Sequence, residues 1–228
     1  MSTLTTVLDT IDKGTTYLEK KGIADARRNM QLLVTHQLGC SRVELYMRFD
    51  RPMEESDLIP LREKLKRRGE GEPLQHLLGT VEFYRREFKT DARALIPRPE
   101  TEELADIIIK HSALQPTPPT SEEETKIQPP EDLQEITEEK REETEPKDDR
   151  IQILDMGTGS GILGLTLASE FGGRCDKLVL ADISPEALSL AGENAELLGI
   201  TRCQLTETNL FSNLEDEKFH LIVANLPY

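Results

Sequence analysis

The sequence is poor in the features that would place it outside the cytosol. Its three cysteines (Cys40, Cys175, Cys203) lie far apart with no Cys-x-x-Cys pair, so neither a zinc site nor a disulfide framework is indicated. Buried reduced thiols are expected, as in a cytosolic protein. No apolar run approaches the roughly 20 residues a membrane helix needs, and the N-terminus lacks the basic-then-apolar pattern of an export signal. A soluble, cytoplasmic protein without membrane contact is therefore expected. Net positive charge is missing too: 28 Lys and Arg face 43 Asp and Glu, leaving −15. That balance argues against a non-specific grip on nucleic acid phosphates. The four histidines (His36, His76, His111, His220) are scattered without ligand spacing and read as surface or packing residues.

The charge is unevenly placed. Residues 115–150 hold 13 acidic and 5 basic residues, whereas residues 1–72 hold 12 and 13. Residues 112–149 also contain six of the thirteen prolines and few apolar residues. Such a stretch cannot bury enough surface to offset its ordering entropy, so a disordered acidic insertion is expected there. A length of 228 residues then leaves one large domain or two small ones around it.

Residues 3–70 read as a small helical bundle. Leu4, Val7, Leu8 and Ile11 recur at helical spacing, as do Met30, Leu33, Val34 and Leu38. Gly39 reads as a stop signal and Ser41 as the N-cap of a third helix through Tyr46 and Met47. A fourth helix, Leu58 to Arg68, ends in a basic last turn before Gly69 and Gly71. From Val81 to Lys89 apolar and polar residues alternate, which predicts a short hairpin. The rigid segment Ile96-Pro97-Arg98-Pro99-Glu100-Thr101-Glu102 follows, with Thr101 expected to cap a helix from Glu102 to His111. The boundaries expected are 1–72 for a helical domain, 73–111 for hairpin, linker and first helix, 112–149 for the insertion and 150–228 for a second domain.

Residues 151–228 alternate strand and helix. Strands are expected at Ile151–Leu154, Leu178–Ala181, near Cys203–Thr206 and at Leu221–Ala224, the last read as a buried strand. Helices are expected from Ile162 to Phe171 and from Pro185 to Leu198. The pattern predicts an α/β fold, a parallel sheet with helices on both faces.

Asp155-Met156-Gly157-Thr158-Gly159-Ser160-Gly161 stands at a strand end and opens a helix. Glycines there let backbone approach a ligand and aim amide N–H groups from the helix N-terminus. Asp182 ends the second strand, where a carboxylate can accept both hydroxyls of a ribose. Gly159-Ser160-Gly161-Ile162-Leu163-Gly164 satisfies the dinucleotide fingerprint, whereas Asp155-x-Gly157-x-Gly159-x-Gly161 follows the strand directly, as in S-adenosylmethionine sites. The glycines alone leave both cofactors open.

Asn225-Leu226-Pro227-Tyr228 decides between them. A carboxamide or exocyclic amine is a poor nucleophile because its lone pair is delocalised. The Asn225 side-chain oxygen and the Leu226 carbonyl can accept its two N–H hydrogens and orient the nitrogen, while Tyr228 packs on the planar group. Fixing attack geometry contributes roughly 7–11 kcal/mol in favourable cases, and no base is needed before attack.

Glu72-Pro73-Leu74-Gln75-His76-Leu77-Leu78-Gly79, Glu82-Phe83-Tyr84 and Ile96-Pro97-Arg98-Pro99-Glu100-Thr101-Glu102, together with the glycine loop, Asp182 and the terminal motif, resemble the peptide chain release factor glutamine methyltransferase family. The resemblance covers nearly everything except residues 112–149. It implies a Rossmann-like class I S-adenosyl-L-methionine-dependent methyltransferase domain preceded by a small all-α domain. It further implies that Gly157, Thr158, Gly159, Ser160 and Gly161 hold the methionine end of the cofactor. Asp182 would bind the ribose, Asn209, Leu210 and Phe211 would flank the adenine, and Asn225 would border the cofactor as well. Asn225, Leu226, Pro227 and Tyr228 would grip the glutamine of a Gly-Gly-Gln loop in a release factor, which the N-terminal helices help dock. A monomer without sequence-specific nucleic acid binding is expected, and no metal.

Three departures from the family pattern stand out. Leu226 replaces the first proline of Asn-Pro-Pro-Tyr, Asn209 stands where an acidic residue is usual, and the insertion is long. A sheet resembling this family's also has three further strands, so a truncated copy with weak or no activity is expected. Asn-Leu-Pro-Tyr is also similar to the motif of rRNA dimethyladenosine transferases, but the acidic catalytic part and the Pro-Arg-Pro segment favour glutamine. A third reading is an inactive protein that retains only cofactor or release-factor binding. A nicotinamide oxidoreductase comes last, for want of a hydride-transfer partner.

Overall fold

A computed structural model describes residues 5–111, 114, 149–214 and 217–226. The expected insertion at 112–149 therefore lies outside the described residues, apart from Leu114 and Asp149, and Leu4, Pro227 and Tyr228 lie outside them as well.

Five helices form the N-terminal unit: α1 (Val7–Lys20), α2 (Ala26–Leu38), α3 (Arg42–Met47), α4 (Glu55–Gly69) and α5 (Leu74–Leu78). Local chemistry sets their ends. Thr6 and Asp9 close a reciprocal capping box on α1, as Ser41 and Glu44 do on α3, and Gly39 terminates α2 at φ +56°. Val7, Ile11, Met30, Leu33, Val34, Leu45 and Leu61 interdigitate as its core. α4 starts earlier than the expected Leu58, and Pro60 lies inside it. The short helix α5 was not expected.

A hairpin, β1 (Thr80–Phe83) and β2 (Arg86–Lys89), turns through Tyr84 and Arg85, both at positive φ. Phe83 and Phe88 meet edge to face, with ring centroids 6.2 Å apart. They join Ala105 of α6 (Pro99–Lys110) in the core of the second unit. Thr101 is not the cap of this helix. The helix begins at Pro99, whose ring suits a first helical position, with Arg98 as its N-cap.

The main sheet contains β3 (Ile151–Met156), β4 (Cys175–Asp182), β5 (Cys203–Glu207) and β6 (Leu221–Ala224), all parallel, in the order β5-β4-β3-β6. Helix α7 (Ile162–Phe171) links β3 to β4, and α8 (Pro185–Leu197) links β4 to β5. Together with α6 and the hairpin they cover one face, through Ile151, Ile153, Leu178, Leu180 and Val223. The expectation of helices on both faces is corrected. Among the described residues the opposite face (Leu154, Met156, Val179, Ala181) is covered only by Leu214 and Phe219. Handedness explains this. Two right-handed crossovers travelling the same way put α7 and α8 on one side, and the return from β5 to β6 runs across the other. β6 is also less buried than expected: Val223 is 5% exposed but Ile222 is 51% exposed. Among the described residues it pairs only with β3.

Among the described residues, no helix is long and apolar enough to cross a membrane. The three cysteines are free, and burial pushes the Cys203 thiol up to about 11, away from reactive thiolate.

Candidate active site

The strand order reverses direction between β3 and β6, and open α/β sheets bind ligands beyond the carboxyl ends of their strands at such a point. A cavity of about 480 Å³ opens there. Residues 93–98, the glycine loop, the ends of β4 and β6 and residues 208–210 form its walls.

Three left-handed glycines shape the loop after β3: Gly157 at φ +68°, Gly159 at +55° and Gly161 at +80°. Only glycine adopts this alternation without strain. The loop is pinned beneath by β4, because the N–H groups of Gly157 and Thr158 both donate to the Ala181 carbonyl (2.8 and 3.0 Å). Gly159 N–H donates to Asp182 Oδ2 at 2.9 Å, and Ser184 N–H to Asp182 Oδ1 at 3.0 Å. Each oxygen of Asp182 thus holds one backbone donor and keeps a lone pair for a ligand.

Asp155, fully enclosed at the end of β3, ties the loop to α7. Its Oδ2 accepts from the Thr158 hydroxyl (2.7 Å) and from Gly164 N–H (2.9 Å). A Cβ at Gly164 would stand 2.9 Å from that same oxygen, so the close approach of α7 to β3 requires glycine there. Burial pushes the Asp155 carboxyl up to about 6; the two donors oppose the rise and the nearby Asp182 adds to it.

Asn194 of α8, wholly buried, locks the loop to the hairpin. Its Nδ2 donates to the Ser160 carbonyl (2.9 Å) and the Lys89 carbonyl (3.1 Å), and its Oδ1 accepts from Lys89 N–H (2.7 Å). Arg93 adds ion pairs to Asp91 and Glu193 on the same side.

Directly after β6, Asn225 donates from Nδ2 to the Thr101 hydroxyl oxygen at 3.0 Å. Leu226 turns back over the loop, its Cδ2 standing where a side chain on Gly157 would be.

Most residues singled out from the sequence converge here. Gly157, Thr158, Gly159, Ser160, Asp182, Asn209, Leu210, Asn225 and Leu226 all line the cavity. Gly161 and Phe211 do not. Gly161 packs against α8 instead, where a Cβ would lie 3.1 Å from that of Ala191. Pro227 and Tyr228 fall outside the described residues. Among the lining residues that the sequence did not mark are Ile183, Thr101 in its actual role, and Asp155 as a buried anchor. Ile183 is 67% exposed and Leu210 53%, so both offer apolar surface to the cavity. The one signal for Ile183 was an apolar residue directly after the acidic strand end.

Comparison with known proteins places these observations in a family. Residues 9–79 match the family described as PrmC N-terminal domain, and residues 147–227 match a methyltransferase domain family. The chain is 32% identical over 229 residues to a release factor glutamine methyltransferase of Rhodopirellula baltica, covering 98% of this chain and 66% of that protein. It is 31% identical over 224 residues to the protein of that name from Koribacter versatilis, covering 98% and 67%. The chain thus spans about two thirds of the length of these relatives (66% and 67%). A crystal structure of ribosomal protein L11 methylase from Lactobacillus delbrueckii subsp. bulgaricus aligns with 34% of this chain and 38% of that one, at 40% identity and a TM-score of 0.31. The order of helical unit, glycine loop, acidic strand end and Asn225 motif agrees with the two domain matches, and this chain belongs to the release factor glutamine methyltransferase family.

Proposed function

We propose that the cavity is the site of S-adenosyl-L-methionine-dependent methylation of a glutamine side-chain amide, in the Gly-Gly-Gln motif of a peptide chain release factor. The observation that carries this reading is a single cavity with two chemically different sets of groups on its wall. The glycine loop and Asp182 form one set, and Asn225 and Leu226, which packs on Gly157, form the other. Relatives of that name across most of the chain support it.

The residues present fit the cofactor. A cavity of about 480 Å³ lies within the usual range for small-molecule sites, roughly 300–1,000 Å³. Gly159 has open space where a Cβ would point, the nearest atom being the Ala94 Cβ at 3.8 Å, so a ligand can lie against bare backbone. The two spare lone pairs of Asp182 match the two hydroxyls of a ribose. Ile183 and Leu210 offer apolar faces suited to a purine. When bound, S-adenosyl-L-methionine supplies an electrophilic methyl group.

The chain's own residues then do the positioning. Asn225 Oδ1 and the Leu226 carbonyl accept the two N–H hydrogens of the substrate amide and hold its nitrogen in line with the cofactor. Both acceptors also favour the positive charge that develops on nitrogen as its electrons are drawn into the new bond. The proton is lost afterwards, so no base is required beforehand. Pro227 and Tyr228 would complete the grip, as the resemblance implies. Residues 1–72 would dock the release factor through the helical face, residues 73–111 would link, and residues 150–228 would carry the chemistry.

The test is methyl transfer from tritiated S-adenosyl-L-methionine, offered with either a purified bacterial-type release factor or rRNA. Label on the release factor, mapped by mass spectrometry to the Gly-Gly-Gln glutamine, is expected. Label in RNA alone would overturn the reading, and so would tight cofactor binding without any turnover.

A further inference from the structure

We infer that Thr101 is a positioning residue for the acceptor amide: its hydroxyl oxygen holds the Asn225 NH2 group and thereby turns the Asn225 carbonyl oxygen toward the methyl acceptor. The inference rests on the function proposed above and names the device that gives the site its polarity.

A carboxamide is nearly symmetric in shape. Rotation by half a turn about its last bond exchanges an acceptor for two donors at almost no steric cost. For Asn225 the two orientations have opposite consequences. With the oxygen toward the substrate, it accepts an amide N–H. With the NH2 group toward the substrate, donor faces donor and the nitrogen to be methylated is pushed away. Nothing on β6 itself distinguishes the two.

Thr101 does. Its Oγ1 lies 3.0 Å from Asn225 Nδ2, a bond spanning 124 positions of sequence. Thr101 is only 6% exposed, whereas Asn225 is exposed, and both border the same cavity. The hydroxyl is also held on a rigid element. Pro99 opens α6, Thr101 N–H donates to the Arg98 carbonyl at 3.0 Å, and the next residue, Glu102, accepts Tyr84 N–H at 2.7 Å. The β-branched side chain limits its own rotation, so the acceptor stays in place. Asn225 therefore enters the site with its NH2 group already engaged and its oxygen available.

Two variants of the full chain test this. Thr101→Val keeps the shape and removes the hydroxyl; Thr101→Ser keeps the hydroxyl. Loss of one hydrogen bond that acts through orientation predicts a fall in kcat of about 10-fold in Thr101→Val. The Kd for S-adenosyl-L-methionine should be unchanged within about 2-fold, since Thr101 is assigned no bond to the cofactor. Thr101→Ser should recover most of the rate. A merely structural role would instead weaken cofactor binding and lower the melting temperature along with the rate. A second readout is independent of turnover. In protein labelled with ¹⁵N-asparagine, the Asn225 side-chain amide signals, identified by their loss in Asn225→Asp, should shift in Thr101→Val and not in Thr101→Ser. If the wild-type chain methylates and Thr101→Val does so equally fast, the inference is overturned while the function stands. If the wild-type chain transfers no methyl group, the function falls, and unmoved Asn225 amide signals in Thr101→Val would overturn the inference separately.

Discussion

Leu226 packs directly on Gly157: a Cβ added to that glycine, at φ +68°, would overlap the leucine Cδ2 methyl. The first glycine of the loop after β3 and the residue that follows Asn225 therefore share one small volume. Gly157→Ala should lose about 1–3 kcal/mol of stability through the left-handed backbone alone, and more through the overlap. In a Leu226→Ala background the overlap vanishes and only the backbone strain remains. A double-mutant cycle by urea denaturation should therefore show coupling of about 1 kcal/mol, and strict additivity would mean the two residues do not touch.

On the proposed function Asp182 binds the two ribose hydroxyls, with oxygens already oriented by Gly159 and Ser184. Asp182→Ala removes both ribose acceptors and leaves those backbone donors unpaired. Hydrogen bonds to a charged group are worth about 1.5–3 kcal/mol each, so the Kd for S-adenosyl-L-methionine should rise on the order of 100-fold or more. Asp182→Asn keeps one acceptor and should fall between. Titration calorimetry measures both.

Asn194→Ala strips three hydrogen bonds from a fully buried point and leaves the Lys89 and Ser160 groups unsatisfied. A loss of about 2–4 kcal/mol in unfolding free energy is expected. Asn194→Asp should be worse, because its carboxylate would face two carbonyl oxygens without a hydrogen to offer. Because Asn194 bridges the hairpin and the glycine loop, weakened cofactor binding should accompany the lost stability in both variants. Intact cofactor affinity in Asn194→Ala would show that the loop keeps its shape without the bridge.

The buried Asp155 carboxyl sets a pH dependence whose sign follows from its raised pKa. With a value of about 6 in the fold against an ordinary 3.8, the native state binds the proton more tightly than the unfolded chain. Its contribution to stability is fully present below about pH 4 and is lost as pH rises through 6. Asp155→Asn preserves an oxygen for Thr158 and Gly164 but cannot ionise. The variant should gain on the order of 2–3 kcal/mol relative to wild type at pH 8 and little at pH 4. Urea midpoints compared at the two values decide it; equal differences at both would mean the carboxyl does not titrate in that window.

What the sequence disclosed was whatever short-range chemistry dictates. Ser41 and Gly39 marked helix ends because a cap acts over three or four residues, and the structure adds Glu44 as the partner of Ser41. The glycine loop and Asp182 were readable for the same reason, each standing at the end of an apolar strand. Thr101 misled because a threonine before glutamates looks like a cap, while Pro99 two residues earlier already fills the first turn. Its bond to Asn225 has no sequence signal, being a meeting of two elements that only the folded sheet brings together. Ile183 was silent because an exposed apolar residue is ordinary until a cavity is seen beside it. The one-sided helix cover follows from strand order and handedness, and strand order is invisible in a list of strands.

β6 follows β5 in the sequence yet takes its place on the far side of β3. The alternation of β3, α7, β4, α8 and β5 closes through contacts between sequence neighbours, whereas pairing Ile153 with Leu221 must first close a long loop. The Asp182 part of the cavity therefore draws on contacts between sequence neighbours, and the Asn225 part on the non-local pairing of β6 with β3. On the function proposed above, cofactor recognition would rest on contacts local in sequence and acceptor positioning on a long-range one.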